Sequence, residues 1–335
     1  MRVLVTGATG FVGAWTAKAV HDHGHTLRLL VRDPARLAPI AAALNFDATD
    51  MVVGDMTDPE RVRVALDGCD AVVHAAAMVA LEPDAAEYMI EANLAGAKNT
   101  LGQAVACGID PIVYVSSVTA LWHRRCPLLH ADLPPGGGRD GYARSKALVE
   151  QYARDLQQQG APVTVTYPSA VLGPAAGDQF GESGEAVVAF IRSGIPGRGA
   201  AITIADVRDL AEAHARLLEP DRGPRRYVLG GHHVAGADLA AHLTTITGRP
   251  VRHYPIPDSV LVGLGTLADR FRHRLPPSMN KLGEAGIRYL IDAPPADNSP
   301  AERDLGITFR PVRQTLQDLL ADRRRIRHTR AAKQR

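Results

Sequence analysis

Through the first half of the chain, short runs of β-branched and aliphatic residues alternate with longer stretches of helical period. That alternation predicts a parallel sheet covered by helices. Strands are expected near residues 2–6, 26–31, 50–54, 70–75, 111–116 and 162–167. Val12, Thr16, Ala19, Val20 and His23 recur at helical spacing after the first strand, as do Ile90, Leu94, Ala97, Leu101 and Val105 before the fifth. Gly24 and Gly108 follow these segments directly, where a residue free to take positive φ closes the last helical turn. The predicted class is α/β, a doubly wound parallel sheet.

Beyond residue 170 the rhythm loosens, with Gly173-Pro174, Gly177, Gly181, Gly184, Pro196-Gly197 and Gly199 interrupting short helical pieces. A helix at 206–218 and a strand at 226–229 resume the first pattern, and helices near 236–247, 258–273 and 278–290 follow. Residues 1–170 plus 206–233 therefore read as one domain, and 171–205 plus 234–322 as a smaller, mostly helical lobe. No internal repeat of solenoid length is present.

Composition narrows the class. Of 335 residues, 46% are hydrophobic and 22% charged, which suits a packed, water-soluble fold and excludes a disordered or collagenous chain. Residues 323–335 hold seven of the 38 basic residues and no acid, so the rest carries 31 basic against 36 acidic groups. A slightly acidic body argues against nucleic-acid binding, and the tail reads as a disordered, solvated end. Cys69, Cys107 and Cys126 are odd in number and lack CxxC spacing, which points to a reducing, cytoplasmic setting without a disulfide framework. No apolar run reaches the length of a membrane span, so no stable membrane insertion is expected.

Between the first strand and first helix lies Thr6-Gly7-Ala8-Thr9-Gly10-Phe11-Val12-Gly13. Glycines there permit a tight turn and bring backbone N–H groups and a helix N-terminus to a pyrophosphate, the dinucleotide device of a Rossmann-type sheet. After the second strand the chain reads Val31-Arg32-Asp33-Pro34-Ala35-Arg36. Arg32, helped by Arg36, can hold a 2′-phosphate, which favours NADP(H); in the competing reading Asp33 takes the ribose of NAD(H) and Arg32 is merely solvated. Asp55, next to Met56, can accept from an adenine amino group or cap the helix starting near Asp58. Ala75, Ala76 and Ala77 let backbone approach the cofactor, or simply pack.

Tyr142 and Lys146 lie four apart at the start of a long helix and project from one face. A free phenol titrates near ~10, so proton transfer near neutrality needs an adjacent cation, which Lys146 supplies. Ser116-Ser117 ends the fifth strand, where a hydroxyl can hold a substrate carbonyl oxygen.

In this combination the sequence resembles the extended branch of the short-chain dehydrogenase/reductase superfamily, the NAD(P)-dependent epimerase/dehydratase-like proteins, over roughly residues 1–230. Besides the glycine turn, the resemblance rests on Gly54-Asp55, His74-Ala75-Ala76, Asn93 through Asn99, Tyr114-Val115-Ser116-Ser117, the YxxxK pair, Tyr167-Pro168-Ser169-Ala170-Val171-Leu172-Gly173-Pro174 and Asp206-Val207-Arg208-Asp209. It implies that Ser117 orients a carbonyl, Tyr142 transfers the proton, and Lys146 lowers its pKa and binds the nicotinamide ribose. It further implies that Asn93 supports Lys146 through water. Gly7, Thr9, Gly10, Phe11, Val12, Gly13, Arg32, Arg36, Asp55, Met56, Ala75, Ala76, Ala77, Pro168, Ala170 and Val171 would line the cofactor, and Val118, Trp122, His123 and Ser169 the substrate pocket.

Departures from the family pattern narrow the chemistry. Val118-Thr119 stand where the dehydratases carry an Asp-Glu pair, and Ala120-Leu121-Trp122-His123 replace the epimerases' Val-Tyr-Gly. The pattern looks most like the dihydroflavonol, cinnamoyl-CoA and aldehyde reductases, with the 3β-hydroxysteroid dehydrogenases close by. The expected function is NADP(H)-dependent reduction of a ketone or aldehyde on a neutral, hydrophobic small molecule, or the reverse. The alternatives are 3β-hydroxysteroid dehydrogenase or nucleotide-sugar epimerase activity, and a non-catalytic NADP-binding sensor or scaffold. In many relatives, helices matching 84–107 and 142–159 pair subunits, which allows a homodimer. The loop from Trp122 to Cys126 can shape substrate access or be a variable surface loop hinged at Gly136-Gly137-Gly138. His21, His23 and His25 straddle a helix end and fit no zinc arrangement, and His232-His233 read as structural.

Overall fold

The computed structural model describes residues 1–79, 85–123, 126–136, 140–271 and 283–333, with side chains as far as residue 327. Seven parallel strands form the main sheet: β1 (Arg2–Thr6), β2 (Thr26–Val31), β3 (Met51–Val53), β4 (Ala71–His74), β5 (Ile112–Val115), β6 (Val163–Pro168) and, later in the chain, β10 (Arg225–Leu229). Their spatial order is β10-β6-β5-β4-β1-β2-β3. The order reverses between β1 and β4, which opens a crevice at their carboxyl ends.

Alternation along each strand divides the core. Val3, Val5, Leu29, Val31, Val73 and Val113 face one helical layer, containing α1 (Phe11–Asp22), α2 (Pro34–Leu44) and α8 (Val207–Arg216). Leu4, Leu30, Val72, Ile112 and Val163 face the other, with α3 (Pro59–Leu66), α4 (Ala86–Ala97), α5 (Gln103–Ala106) and α6 (Gly141–Gln158). Gly24 and Gly108 adopt φ values of 80° and 69°, as the helix ends require. The helix expected across 84–107 contains a π turn at Lys98–Gly102 between α4 and α5.

The region after β6 departs from the expected broken helices. It contains β7 (Ala170–Leu172), α7 (Gly181–Ser193), β8 (Ile195–Pro196) and β9 (Ala201–Asp206), joined later by β11 (His232–Ala235) and β12 (His253–Tyr254). β11-β9-β7 form a small sheet and β12 pairs with β8. β9 is almost wholly buried, so it lacks the exposed alternation by which a strand is recognised. The helices of this lobe are α9 (Gly236–Thr247), α10 (Asp258–Arg270), α11 (Glu284–Ile291), α12 (Ser299–Leu305) and α13 (Val312–Lys333). Residues 272–282, the end of one predicted helix and the start of the next, lie outside the described residues, as do Gly137 and Gly138.

The basic tail is not a frayed end: α13 continues through it to Lys333. Leu316, Leu319 and Leu320 are buried in a third core cluster with Ile326 packed against it. The Arg323 guanidinium meets Glu185 on α7 at 2.6 and 3.0 Å. At the root of α13, Thr315 donates to Asp206 at 2.8 Å and Arg208 pairs with Asp318 at 2.7 Å. Apolar anchoring and ion pairing extend a helix that charge content alone would leave solvated. Among the described residues no helix is long and apolar enough to cross a membrane.

Two buried histidines tie the layers together. His214 on α8 meets Thr16 of α1 at 2.9 Å and Thr166 of β6 at 3.1 Å. His74, at the end of β4, meets Thr6 of β1 at 2.9 Å. Burial holds both imidazoles down, each at about 3 against an ordinary 6.5. Between those values the unfolded chain binds protons that the folded chain refuses, so stability is complete above pH 6.5 and is lost as pH falls toward 3. Urea unfolding at pH 7, 6 and 5 should lose up to ~1.4 kcal/mol per pH unit for each ring once below 6.5. The resonances of both imidazoles should stay untitrated between pH 8 and 5.

Candidate functional site

The glycine turn closes over the crevice by contact. Gly7 has φ 83°, and a Cβ there would lie 2.8 Å from the Ala76 nitrogen; one on Gly13 would collide with the Gly7 carbonyl. Thr6 Oγ1 accepts from the Ala76 N–H at 3.1 Å, binding the loop after β4 to the end of β1. Gly10 caps α1 without a side-chain hydrogen bond. The first-turn N–H groups of Phe11 and Val12 are therefore suited to an anion, and the backbone cradle fits a pyrophosphate. Thr9 and Gly10 occupy the turn, while Phe11 is buried and its ring would meet a Cβ on Gly181 at 2.9 Å.

At the other end of the crevice, Asp33 caps α2, its Oδ1 accepting from Ala35 N at 2.9 Å. One carboxylate oxygen is thereby committed to the helix. Arg32 is 72% exposed, with its guanidinium 3.7 Å from Asp55, and Arg36 is exposed in the first turn of α2. Asp55 Oδ1 accepts from both the N–H and hydroxyl of Thr57 at 2.9 Å, while Asp58 caps α3. Asn99 donates to the Met56 carbonyl at 3.0 Å, and Met56 packs on Gly96, where a Cβ would meet its side chain at 2.6 Å.

Ser117 follows β5, caps a short 3-10 turn at Val118–Ala120, and accepts from the Thr119 hydroxyl at 3.0 Å. α6 starts at the Asp140 cap and carries Tyr142 and Lys146 on one face, the Lys146 Nζ lying 6.0 Å from the Tyr142 ring centroid. That ammonium also donates to the Val115 carbonyl at 3.2 Å and lies 5.5 Å from the Tyr114 ring, against which His74 stacks. Burial raises the Tyr142 phenol, a hydrogen bond with Ser117 draws it down, and the Asp140 carboxylate raises it further. Burial lowers Lys146 to about 8, opposed by the Glu150 carboxylate.

Glu150 and Arg154 continue the same helical stripe. Glu150 has no exposed side-chain surface, and its Oε1 accepts from Arg154 at 2.6 Å and Tyr167 at 2.6 Å. The repeat Tyr142, Lys146, Glu150, Arg154, each four apart, is visible in the sequence, but Glu150 and Arg154 were missed. Thr119, Asp140 and Tyr289 were also missed. Tyr289 on α11 donates to Asp140 Oδ2 at 2.6 Å and stacks, tilted by 37°, 5.5 Å from Trp122. Its partners lie some 150 residues away in sequence, so no local pattern could have signalled them.

Several expected residues take backbone work. Asn93 accepts from Met78 N at 2.7 Å and donates to Met78 O and Ser145 Oγ, both at 2.9 Å, so its amide grips the loop after β4 and the helix beside Lys146. These partners engage both amide hydrogens and one lone pair of the oxygen, next to the turn of α6 that carries Lys146. Ser169 donates to the Gly230 carbonyl at 2.5 Å, between β6, which ends in Pro168, and β7, which begins with Ala170 and Val171. His123 Nδ1 lies 2.8 Å from the Leu121 carbonyl, and Val118 is half-buried against the core below α6. His232 and His233 meet the Phe309 carbonyl and Thr203; His23 meets Glu212. No cluster among the described residues has the make-up of a metal site.

Comparison with known proteins sets this geometry in context. The model of the NAD dependent epimerase/dehydratase family matches residues 3–230. The chain is 28% identical over 332 residues to sterol demethylase protein B of Methylococcus capsulatus, covering 96% of this chain and 98% of that protein. It is 26% identical to cinnamoyl-CoA reductase 1 of Petunia hybrida, covering 94% and 89%. The UDP-glucose-4-epimerase of Stenotrophomonas maltophila, solved with bound NAD, superposes with a TM-score of 0.78 at 20% identity over 98% of this chain and 99% of that one, a likeness of fold. With a glycine cradle at the strand-order reversal and a serine, tyrosine and lysine gathered beside it, the chain belongs to the NAD-dependent epimerase/dehydratase family. It is an extended short-chain dehydrogenase/reductase, an NAD(P)-dependent enzyme acting on CH–OH groups.

Proposed function

We propose that this protein reduces the carbonyl of a neutral, apolar ketone or aldehyde with NADPH, and oxidises the corresponding alcohol in reverse. The observation that carries this reading is the buried ammonium of Lys146, 6.0 Å from the Tyr142 ring on the same face of α6, with Ser117 drawing the pKa of that phenol down. The bound nicotinamide supplies the hydride. Ser117 holds the carbonyl oxygen, Tyr142 donates its phenolic proton to that oxygen, and the positive Lys146 stabilises the phenolate left behind. Thr119, donating to Ser117 Oγ, fixes that hydroxyl. Gly7, Gly10 and Gly13 with the α1 N-terminus would hold the pyrophosphate, and Ala75–Ala77, Pro168, Ala170 and Val171 the nicotinamide half.

NADPH is favoured because Asp33 is engaged as a helix cap while Arg32, loosely paired with Asp55 at 3.7 Å, stands exposed at the adenine end, where a phosphate can take its guanidinium bidentately. Residues 171–205 and 234–322 would form the substrate lobe, with Trp122 and Tyr289 as an aromatic wall suited to an apolar molecule. Names among the relatives, a cinnamoyl-CoA reductase and a sterol demethylase protein, fit such substrates. The latter gives specific support to a second reading, oxidation of a sterol-like secondary alcohol. A homodimer would use α4 and α6, where Tyr88 and Leu148 are exposed, and three free cysteines suit the cytoplasm.

With NADPH and a panel of aryl and alicyclic ketones and aldehydes, Tyr142→Phe should lower kcat by ~10²–10⁴-fold and leave NADPH binding, read by fluorescence, unchanged. Undiminished turnover in that variant would refute the proton-transfer assignment. Arg32→Ala should weaken NADPH about tenfold, or ~1.4 kcal/mol, with little effect on NADH. Equal small effects on both would return the choice to NAD.

Tyr289→Phe removes the hydroxyl that shares the charge of Asp140, and a more concentrated carboxylate pushes the Tyr142 phenol up. The pH at which alcohol oxidation sets in should therefore move upward while the melting temperature is held. An unmoved pH profile would reduce Tyr289 to packing.

A further inference from the structure

The hydroxyl oxygen of Ser117 receives two hydrogen bonds, and both come from one residue. The Thr119 N–H donates to Ser117 Oγ at 3.2 Å, and the Thr119 hydroxyl donates to the same atom at 3.0 Å. A serine hydroxyl has two lone pairs and a single proton. With both lone pairs engaged, Ser117 is left only its proton to give.

The fold holds this pair in place. Ser117 has extended backbone, φ −164° and ψ 152°, and caps the 3-10 turn Val118–Ala120. Around that turn Ala120 N donates to the Ser117 carbonyl and Leu121 N to the Val118 carbonyl, each at 3.0 Å. Ala120 and Leu121 have no exposed surface, and Gly136 N closes on the Ala120 carbonyl at 2.8 Å. Thr119 is half-buried between these anchors and is held against Ser117 by the turn itself.

We propose that Thr119 is a positioning residue that sets the direction of hydrogen bonding at Ser117, so that Ser117 donates into the crevice and Tyr142 keeps its own proton for the substrate oxygen. Were a lone pair of Ser117 open, the phenol would have an acceptor within the protein, and its proton would be turned away from the substrate. Ser117 draws the Tyr142 phenol down, the direction that a donor to it produces; an acceptor would do the opposite. The other groups around that phenol are Lys146 and Asp140 at the start of α6, Tyr114 on β5 and Tyr289 on α11, and a change at Thr119 leaves all four in place. The consequence for turnover rests on the carbonyl chemistry proposed above; the direction of the hydrogen bond does not.

Thr119→Val keeps the shape and removes the hydroxyl donor. With an isotope label at tyrosine Cζ, the NMR titration of Tyr142, assigned by its loss in Tyr142→Phe, should move up by about 0.5 on the pH scale in Thr119→Val. With NADPH and the carbonyl panel, kcat should fall roughly three- to tenfold while KM stays within about twofold. Thr119→Ala should behave alike, Thr119→Ser should restore both readings, and all three should keep the melting temperature. In a Ser117→Ala background Thr119→Val should change nothing further, because the two residues act as a unit. A titration unmoved by loss of the hydroxyl overturns the proposal. So does a Thr119→Ser variant as impaired as Thr119→Val, or an equal loss of kcat where Ser117 is already replaced. A moved titration in protein that turns over no carbonyl keeps the hydrogen-bond direction and refutes only the enzymatic reading.

Discussion

An amine kept charged inside the protein is the constraint on which the rest turns. Lys146 is 6% exposed, and burial brings its pKa down to about 8, which keeps the ammonium the major form at pH 7. That margin depends on Glu150, the carboxylate one turn further along α6, which resists the loss of the proton. Glu150 is itself sealed from water and is tolerated because Arg154 and Tyr167 donate to it. The charge at the crevice is thus supported by a chain of groups running down the helix into the core, and the first link at the surface end is the phenol.

The histidine closest to this arrangement stays neutral. His74, stacked on Tyr114 near the Lys146 ammonium, is held without a proton by burial first and by that positive charge second. With His74 uncharged, the positive charge beside Tyr142 is that of Lys146, opposed at the phenol by the Asp140 carboxylate. Thr6 connects this arrangement to the glycine turn, because its hydroxyl meets His74 and also accepts from Ala76. The glycine turn and the Lys146 ammonium are thus joined through the Thr6–His74 hydrogen bond and the ring contacts of His74 and Lys146 with Tyr114.

The sequence carried the sheet well, because parallel strands buried on both faces are continuous aliphatic runs and helix ends are marked by Gly24, Gly108 and Asp58. The grouping of Tyr142, Lys146 and Ser117 was legible for the same reason of locality: the first two share a helix, and Ser117 follows a strand directly. It did not carry β7, β8 and β9, whose short strands are enclosed by a lobe assembled from distant segments. Nor did it carry the continuation of α13, where Arg323 finds Glu185 on α7. Tyr289 reaching Asp140 depends on how two regions of the chain come together. Asn93 is marked by pattern, yet its partners, the Met78 backbone and the Ser145 hydroxyl, are ones that no pattern names.

The π turn after α4 sets what this helix can reach. Asn93 lies before it and holds Met78 and Ser145, the neighbour of Lys146; Asn99 lies within it and holds Met56, the neighbour of Asp55. Six residues of helix span about 9 Å, and the widened turn alters the direction in which side chains beyond it emerge. A single rod is thereby clamped to loops at both ends of the crevice, like a strut between two jaws. The gauge of the crevice is fixed by the length of that strut, and a one-residue insertion or deletion in it would misalign one end of the nucleotide while the other stayed seated.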